Sequence, residues 1–450
     1  MIKLKRYTIG ITLAIGMFGA NAQKQNDSTN YSLQQAIDFA LKNSPNYLNA
    51  ELDIQNSVYR RKELFGIGLP QVNGSVDIKD YLDIPTSLLP GQFFGALDGT
   101  FIPVKFGTKY NSTAGLSASQ LIFSSDYIVG LKAAKELINL ATINVNRTKT
   151  ELVSAVSKAY YNVLVNKERI KLLEANIIRL NKIYEDTKVY NQQGFVELID
   201  VERLEVTYNN LKTEKEKTDK LIGLSENLLK FQMGYKINDA IVLTDTLSFK
   251  DSEASLLGNG KTDFSKRADY QLIQSQQKLN KLDLKRHRLG YLPTLVAYGT
   301  YQYNAQRQEF DFFDKSKDWF KISLIGGTLN FNVFDGFQRH NRIQQARIAI
   351  LKGDNALKTI ELAAELEASI ADISYSNAYA SLQNQKRNMQ LAQHVFDVAQ
   401  KKYEQGIGSN IEITTAETSL KESQTNYYNS VYDLLVSKID YLKATGTLVK

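Results

Sequence analysis

The stretch that decides the fold is Gln193-Gly194-Phe195-Val196-Glu197-Leu198-Ile199-Asp200-Val201, because the chain carries a second version of it. That version is Gln405-Gly406-Ile407-Gly408-Ser409-Asn410-Ile411-Glu412-Ile413. The same spacing pairs Ile199 with Ile411, Glu205 with Glu417, Thr213 with Thr425, Ser225 with Ser437 and Gly234 with Gly446. A glycine followed by small or β-branched residues stops a helix, and an acid shortly after suits the first turn of the next one. Each copy therefore reads as the corner of a helical hairpin, at Gly194 and at Gly406. Taken singly, a copy is no more than a helix C-cap and an N-terminal acid. The duplication makes the pair a feature of the architecture.

The flanks of both corners are long and helical in pattern. Residues 127–192 contain no proline, and their one glycine, Gly130, lies at the start. Val156, Val163, Ile170, Ile177 and Tyr184 recur every seven residues, the seam of a coiled coil. At the helical rise per residue such a rod spans roughly 100 Å. The partner helix, 198–231, returns antiparallel and tolerates Gly223 inside it. Around the second corner the rods are 337–403, with a break risk at Gly353, and 412–445.

Elsewhere the period changes to two. Val72, Val76 and Ile78 alternate with Asn73, Ser75, Asp77 and Lys79, a half-buried strand. A second strand over 110–123 alternates Ala114, Leu116 and Ala118 with Thr113, Ser117 and Ser119. A third carries Leu295, Ala297, Tyr301 and Tyr303. The fourth, 321–334, changes its apolar parity at Gly326-Gly327, which predicts a bulge. Residues 82–109, rich in Pro and Gly yet apolar, read as one long loop over the barrel mouth or against lipid. Tyr81, Tyr110, Tyr301, Tyr303 and Trp319 fit either an interfacial aromatic belt or ordinary strand aromatics.

The chain opens with Lys3, Lys5 and Arg6, an apolar run, then Ala20-Asn21-Ala22, the pattern of a signal peptide over residues 1–22. There is no cysteine, so neither a disulfide framework nor a lipidated cysteine is available. The formal net charge of +7 loses three with the signal, too mild a balance to argue for nucleic acid. The order of helix, strand pair, long helix, corner and helix occurs twice, with Leu69-Pro70 matched by Leu292-Pro293. This divides the chain into a first repeat, 23–234, a linker, 235–262, and a second repeat, 263–450.

After residue 22 no apolar run reaches the ~18 residues of a membrane helix. A mature chain that spans a membrane must then do so as a closed barrel. Four strands are too few to close one, since small barrels need about eight. Other copies of the chain would have to complete it. The fold expected is mainly α with a small β-barrel contribution.

The sequence resembles the TolC family of outer-membrane efflux channels. The similarity rests on Gly68-Leu69-Pro70, Tyr291-Leu292-Pro293-Thr294-Leu295, Ala159-Tyr160-Tyr161-Asn162-Val163-Leu164, Leu121-Ile122-Phe123, Val333-Phe334-Asp335-Gly336 and the two glycine corners. It runs from Ser32 to Leu448 and lies in the order and duplication of these motifs. The resemblance implies a homotrimer whose twelve strands close one outer-membrane barrel, with long hairpins forming a periplasmic α-barrel. It also implies docking to a periplasmic adaptor and an inner-membrane pump, as the exit duct of a tripartite efflux or type I secretion system. By the same resemblance the periplasmic tip is a gate. Asp200 falls at an acidic linking position, Tyr403 at an aromatic used in closure, and Glu412 at the first of two acidic ring positions. Gly408 stands in place of the family's arginine partner, and Thr415 in place of the second acid.

No cofactor, metal or catalytic site is expected. His287, His340 and His394 share no ligand spacing, and no phosphate loop or nucleophile elbow occurs. The rival reading is a periplasmic coiled-coil adaptor or scaffold that does not span the membrane.

Overall fold

Ser32 starts the helical part of the chain. Its hydroxyl accepts from the Gln35 amide while the Gln35 side chain accepts from the Ser32 amide, a reciprocal cap on α1 (Leu33–Asn43). Ser44 is extended, and Pro45 opens α2 (Pro45–Gly66), so the predicted break falls where the proline puts it. Before α1, β1 (Asn30–Tyr31) pairs in parallel with β6 (Val242–Leu243). The computed structural model describes residues 30–95, 97–247 and 263–449. The expected signal peptide and residues 248–262 of the expected linker lie outside them.

Four strands, β2 (Gln71–Asp80), β5 (Tyr110–Phe123), β7 (Thr294–Arg307) and β8 (Phe320–Asn330), form one antiparallel sheet in the order β2-β5-β7-β8. The two sequence-distant hairpins therefore pair side by side. Their registers put Val72, Val76, Leu116, Tyr301 and Ile325 on one face and Asn73, Ser75, Thr113, Ser117 and Gln302 on the other. Tyr301 and Tyr303 share the apolar face, with Lys321 over the Tyr301 ring. Trp319 instead packs near Phe312 in the β7–β8 connection.

Two strand expectations need correction. The β7–β8 ladder runs unshifted from Thr294–Asn330 to Asn304–Phe320, so there is no bulge at Gly326-Gly327. The parity change is instead a change of face: Ile322 and Leu324 lie on the side of Gln302, Ile325 and Leu329 on the side of Tyr301. At the changeover a Cβ at Gly326 would lie 2.8 Å from the Tyr298 ring, so the glycine makes room for its cross-strand neighbour. Phe331 and Val333, which suggested the second parity, lie beyond the end of β8. The one irregularity of this sheet falls between Leu121 and Phe123. Residues 82–109 are not a plain loop either: they hold β3 (Thr86–Pro90) paired with β4 (Phe101–Lys105). Prolines 90 and 103 mask that hairpin, because its ladder touches no other strand and tolerates missing donors.

Two rods leave the sheet. Ser124 caps α3 (Ser125–Gln192), 68 residues long, and α4 (Leu198–Met233) returns along it. After α5 (Ala268–Leu289), α6 (Gln338–Glu404) has 67 residues and α7 (Asn410–Ala444) returns. The α6 helix runs unbroken through Gly353, whose bare Cα packs against Gln277 of α5. No helix among the described residues is long and apolar enough to cross a membrane.

The seam of α3 differs from the heptad read in the sequence. Val156 and Val163 are fully buried, but Ile177 and Tyr184 only flank the core. Toward the corner the buried positions are Leu173, Asn176, Leu180, Ile183 and Thr187, spaced three and four apart. There α3 faces two neighbours at once. Its core is shared with Leu204 and Leu211 of α4, Phe396 of α6, and Ile413 and Leu420 of α7. Each such side chain contributes roughly 1.5–3 kcal/mol on full burial.

Candidate functional site: the paired helical corners

Both corners close in the same way. Gly194 and Gly406 take left-handed backbone, φ 78° and 72°, where a side chain would be strained. The Phe195 amide donates to the Tyr190 carbonyl at 2.9 Å, and the Ile407 amide to that of Lys402 at 3.0 Å. These bonds satisfy carbonyls that a helix end otherwise leaves bare. The far ends repeat the device, with Gly234 and Gly446 both at φ 70°. Ser409 then caps α7 by accepting from the Glu412 amide at 3.2 Å.

The second corner is the tighter one. A Cβ at Gly408 would lie 2.9 Å from the Lys402 Cβ and from the Tyr403 backbone nitrogen, so this backbone has no room for a side chain there.

Polar links join the corners to each other. The Asn410 amide group donates to the Asp200 backbone carbonyl at 2.6 Å. Thr187 of α3 donates to the Ile183 carbonyl, which leaves its oxygen to accept from the Tyr403 hydroxyl at 2.8 Å. Burial, and then the charge of Asp200, push the Tyr403 phenol above its ordinary range, so it remains a donor at neutral pH. The Asp200 carboxylate lies 3.5 Å from Arg203 of its own helix. Thus Asp200 and Tyr403 both stand at the junction of the hairpins. Glu412 does not join them. It is exposed, on a shallow groove shared with Val398, Lys402, Ile411 and Thr415. Asn410 and Thr187 were missed in the sequence. The only local hint was a polar residue, Asn410, at the start of a helix; in the structure that residue is buried.

Residues 268–447 match the family described as "Outer membrane efflux protein". The chain is thus similar to outer-membrane efflux proteins over its second half, and to TolC proteins over three quarters of its length. The outer membrane protein TolC of Vibrio cholerae is 19% identical over 338 residues, spanning 75% of this chain and 77% of that protein. Among solved structures, the Campylobacter jejuni CmeC outer membrane channel superposes with a TM-score of 0.75 at 16% identity, covering 92% of this chain and 86% of that one. The outer membrane protein VceC of Vibrio cholerae gives 0.72 at 16% identity, covering 92% and 96%. The structural likenesses establish a common fold: long helical hairpins carrying a four-stranded share of a barrel.

Proposed function

We propose that this protein is the outer-membrane exit duct of a tripartite efflux or type I secretion system. The observation that carries this reading is the union of an open sheet, apolar on one face, with hairpins whose long arms are 68 and 67 residues. In lipid the free edges of β2 and β8 would leave a row of backbone donors and acceptors unpaired, at several kcal/mol for each group. Pairing β8 of one copy with β2 of the next removes every edge. Three copies supply twelve strands, and their hairpins then line one periplasmic tube roughly 100 Å long.

In this reading the corners form the periplasmic gate. Asp200 and Tyr403 hold the hairpins of one chain together, and three Glu412 carboxylates ring the opening. A ring of like charges favours cations. The two halves of the chain, 23–234 and 263–450, act as structural repeats joined at 235–262. An adaptor and an inner-membrane pump engage the periplasmic end, and the pump supplies both energy and the choice of substrate. A soluble adaptor offers no role for a sheet whose hairpins pair laterally with an apolar face outward. Carbonate washing of membranes, followed by chemical cross-linking, tests the assembly: retention in the membrane and a three-chain product are expected. Release with the wash, as single chains, would overturn it.

A further inference from the structure

Between the corners the α3–α4 and α6–α7 hairpins share an apolar core, and a charged layer is buried within it. Glu417 of α7 is 1% exposed, and neither of its carboxylate oxygens has a hydrogen-bond partner among the described residues. Arg179 of α3 brings Nη2 only to 3.8 Å from Glu417 Oε2, beyond hydrogen-bonding reach. Its guanidinium donates instead to Asn176 and lies 4.4 Å from the centre of the Phe396 ring of α6. Asn176 extends the layer to Gln424 of α7 at 2.7 Å. Lys421, one turn from Glu417, is held by Glu214 of α4, which also takes Arg169 of α3 at 3.2 Å. The groups around Glu417 are thus Arg179 from α3, Lys421 from α7 and Glu214 from α4 behind it, while α6 offers the uncharged Phe396 ring.

We propose that Glu417 is a positioning residue for the gate: its protonation clamps the α6–α7 hairpin onto α3, and its ionisation loosens the clamp. The gating half of this statement rests on the duct reading; the clamp itself does not. An ionised carboxylate with two unpartnered oxygens in a dry seam carries a desolvation cost that a cation at 3.8 Å only partly offsets. The neutral acid carries far less of it, and Arg179 keeps Asn176 and the Phe396 face whichever form is present. Burial accordingly holds the Glu417 carboxyl above its ordinary range, against the opposing pull of Arg179 and Lys421. A carboxyl raised in this way favours the closed seam fully below the ordinary glutamate range and loses that effect as pH rises through its raised value. Acid therefore tightens the seam. Glu417 sits roughly 7.5 Å along α7 from Glu412, and the same rigid helix begins at Asn410, which holds Asp200. Loosening the layer frees the gate end of α7.

The test measures amide exchange of residues 413–424 in the intact detergent-solubilised protein between pH 5 and pH 8, corrected for the pH dependence of intrinsic exchange. Wild-type protection is expected to fall with rising pH, by up to about tenfold for each unit by which the seam raises the carboxyl. Glu417→Gln is expected to be flat, and at least as protected as wild type at pH 5. Arg179→Met removes a cation that favours the ionised form, so the fall moves to higher pH. A wild-type profile retained in Glu417→Gln overturns the clamp, and so does an unmoved profile in Arg179→Met, should the first variant not fold. Bilayer recordings of the same proteins separate the two claims. Wild-type opening that is rarer at pH 5 than at pH 8, but pH-independent in Glu417→Gln, supports the gating role. Openings with one pH profile in both overturn it and leave the duct standing. No openings at any pH, from a protein that carbonate also washes off membranes, overturn the duct reading, while the exchange profile still decides the clamp.

Discussion

Asn410 donates to the backbone carbonyl of Asp200 at 2.6 Å, so the corner of one helical hairpin is tied to the corner of the other through a main-chain atom. Because the acceptor is not the carboxylate, the two residues should respond differently to substitution. Asn410→Ala removes a bond worth about 1 kcal/mol, which is roughly fivefold in an opening equilibrium. Asp200→Ala keeps that bond and loses the 3.5 Å contact with Arg203 in its own helix, together with the charge near Tyr403. Single-channel recordings should show a clear rise in open probability for the first and a smaller one for the second. Equal effects would shift the weight from the amide link to the Asp200 charge.

Glu412 is exposed beside Thr415 and Lys402. In the assembled gate, Glu412→Gln should reduce cation preference and weaken block by multivalent cations, with little change in thermal stability, because the side chain is not buried. Reversal potentials in asymmetric salt would report this. Unchanged selectivity would place Glu412 among ordinary helix N-terminal acids.

Gly326 faces the Tyr298 ring across the β7–β8 ladder, with 2.8 Å available to an added Cβ. Gly326→Val should therefore destabilise the sheet by about 1–3 kcal/mol, the usual cost of overpacking. The assembled fraction on unheated electrophoresis should fall. Adding Tyr298→Ala should restore it, which a general effect of valine in the strand would not predict.

The β3–β4 hairpin pairs only with itself and contributes nothing to the β2-β5-β7-β8 ladder. Deleting 86–105 with a short glycine-serine bridge should leave assembly and membrane insertion intact. Loss of the trimer on cross-linking would show that Leu88, Phe93 and their exposed neighbours pack between subunits instead.

Much of this arrangement was legible in the sequence, for local reasons. Gly194 and Gly406 mark corners because left-handed backbone selects glycine within a few residues. The strands show through alternation, and β5 covers the expected 110–123, although its last residues, Leu121-Ile122-Phe123, no longer alternate. What escaped depends on partners far along the chain. The seam passes from Val163 to Leu173 and Leu180 because α6 and α7 approach α3 there, which no heptad count within α3 reveals. Gly326 looked like a bulge because its neighbour Tyr298 sits on another strand. Asn410 and Thr187 gain meaning only from Asp200 and Tyr403, each more than 200 residues away. The buried layer at Arg179 and Glu417 was hidden for the same reason, since both sit in runs that resemble any charged helix surface.

The most direct measurement is the ion conductance of the purified protein in a planar bilayer. Discrete, small, cation-preferring openings are predicted: a spanning barrel held nearly shut at its periplasmic tip. A protein that produces no openings and washes off membranes with carbonate would contradict the account at its centre.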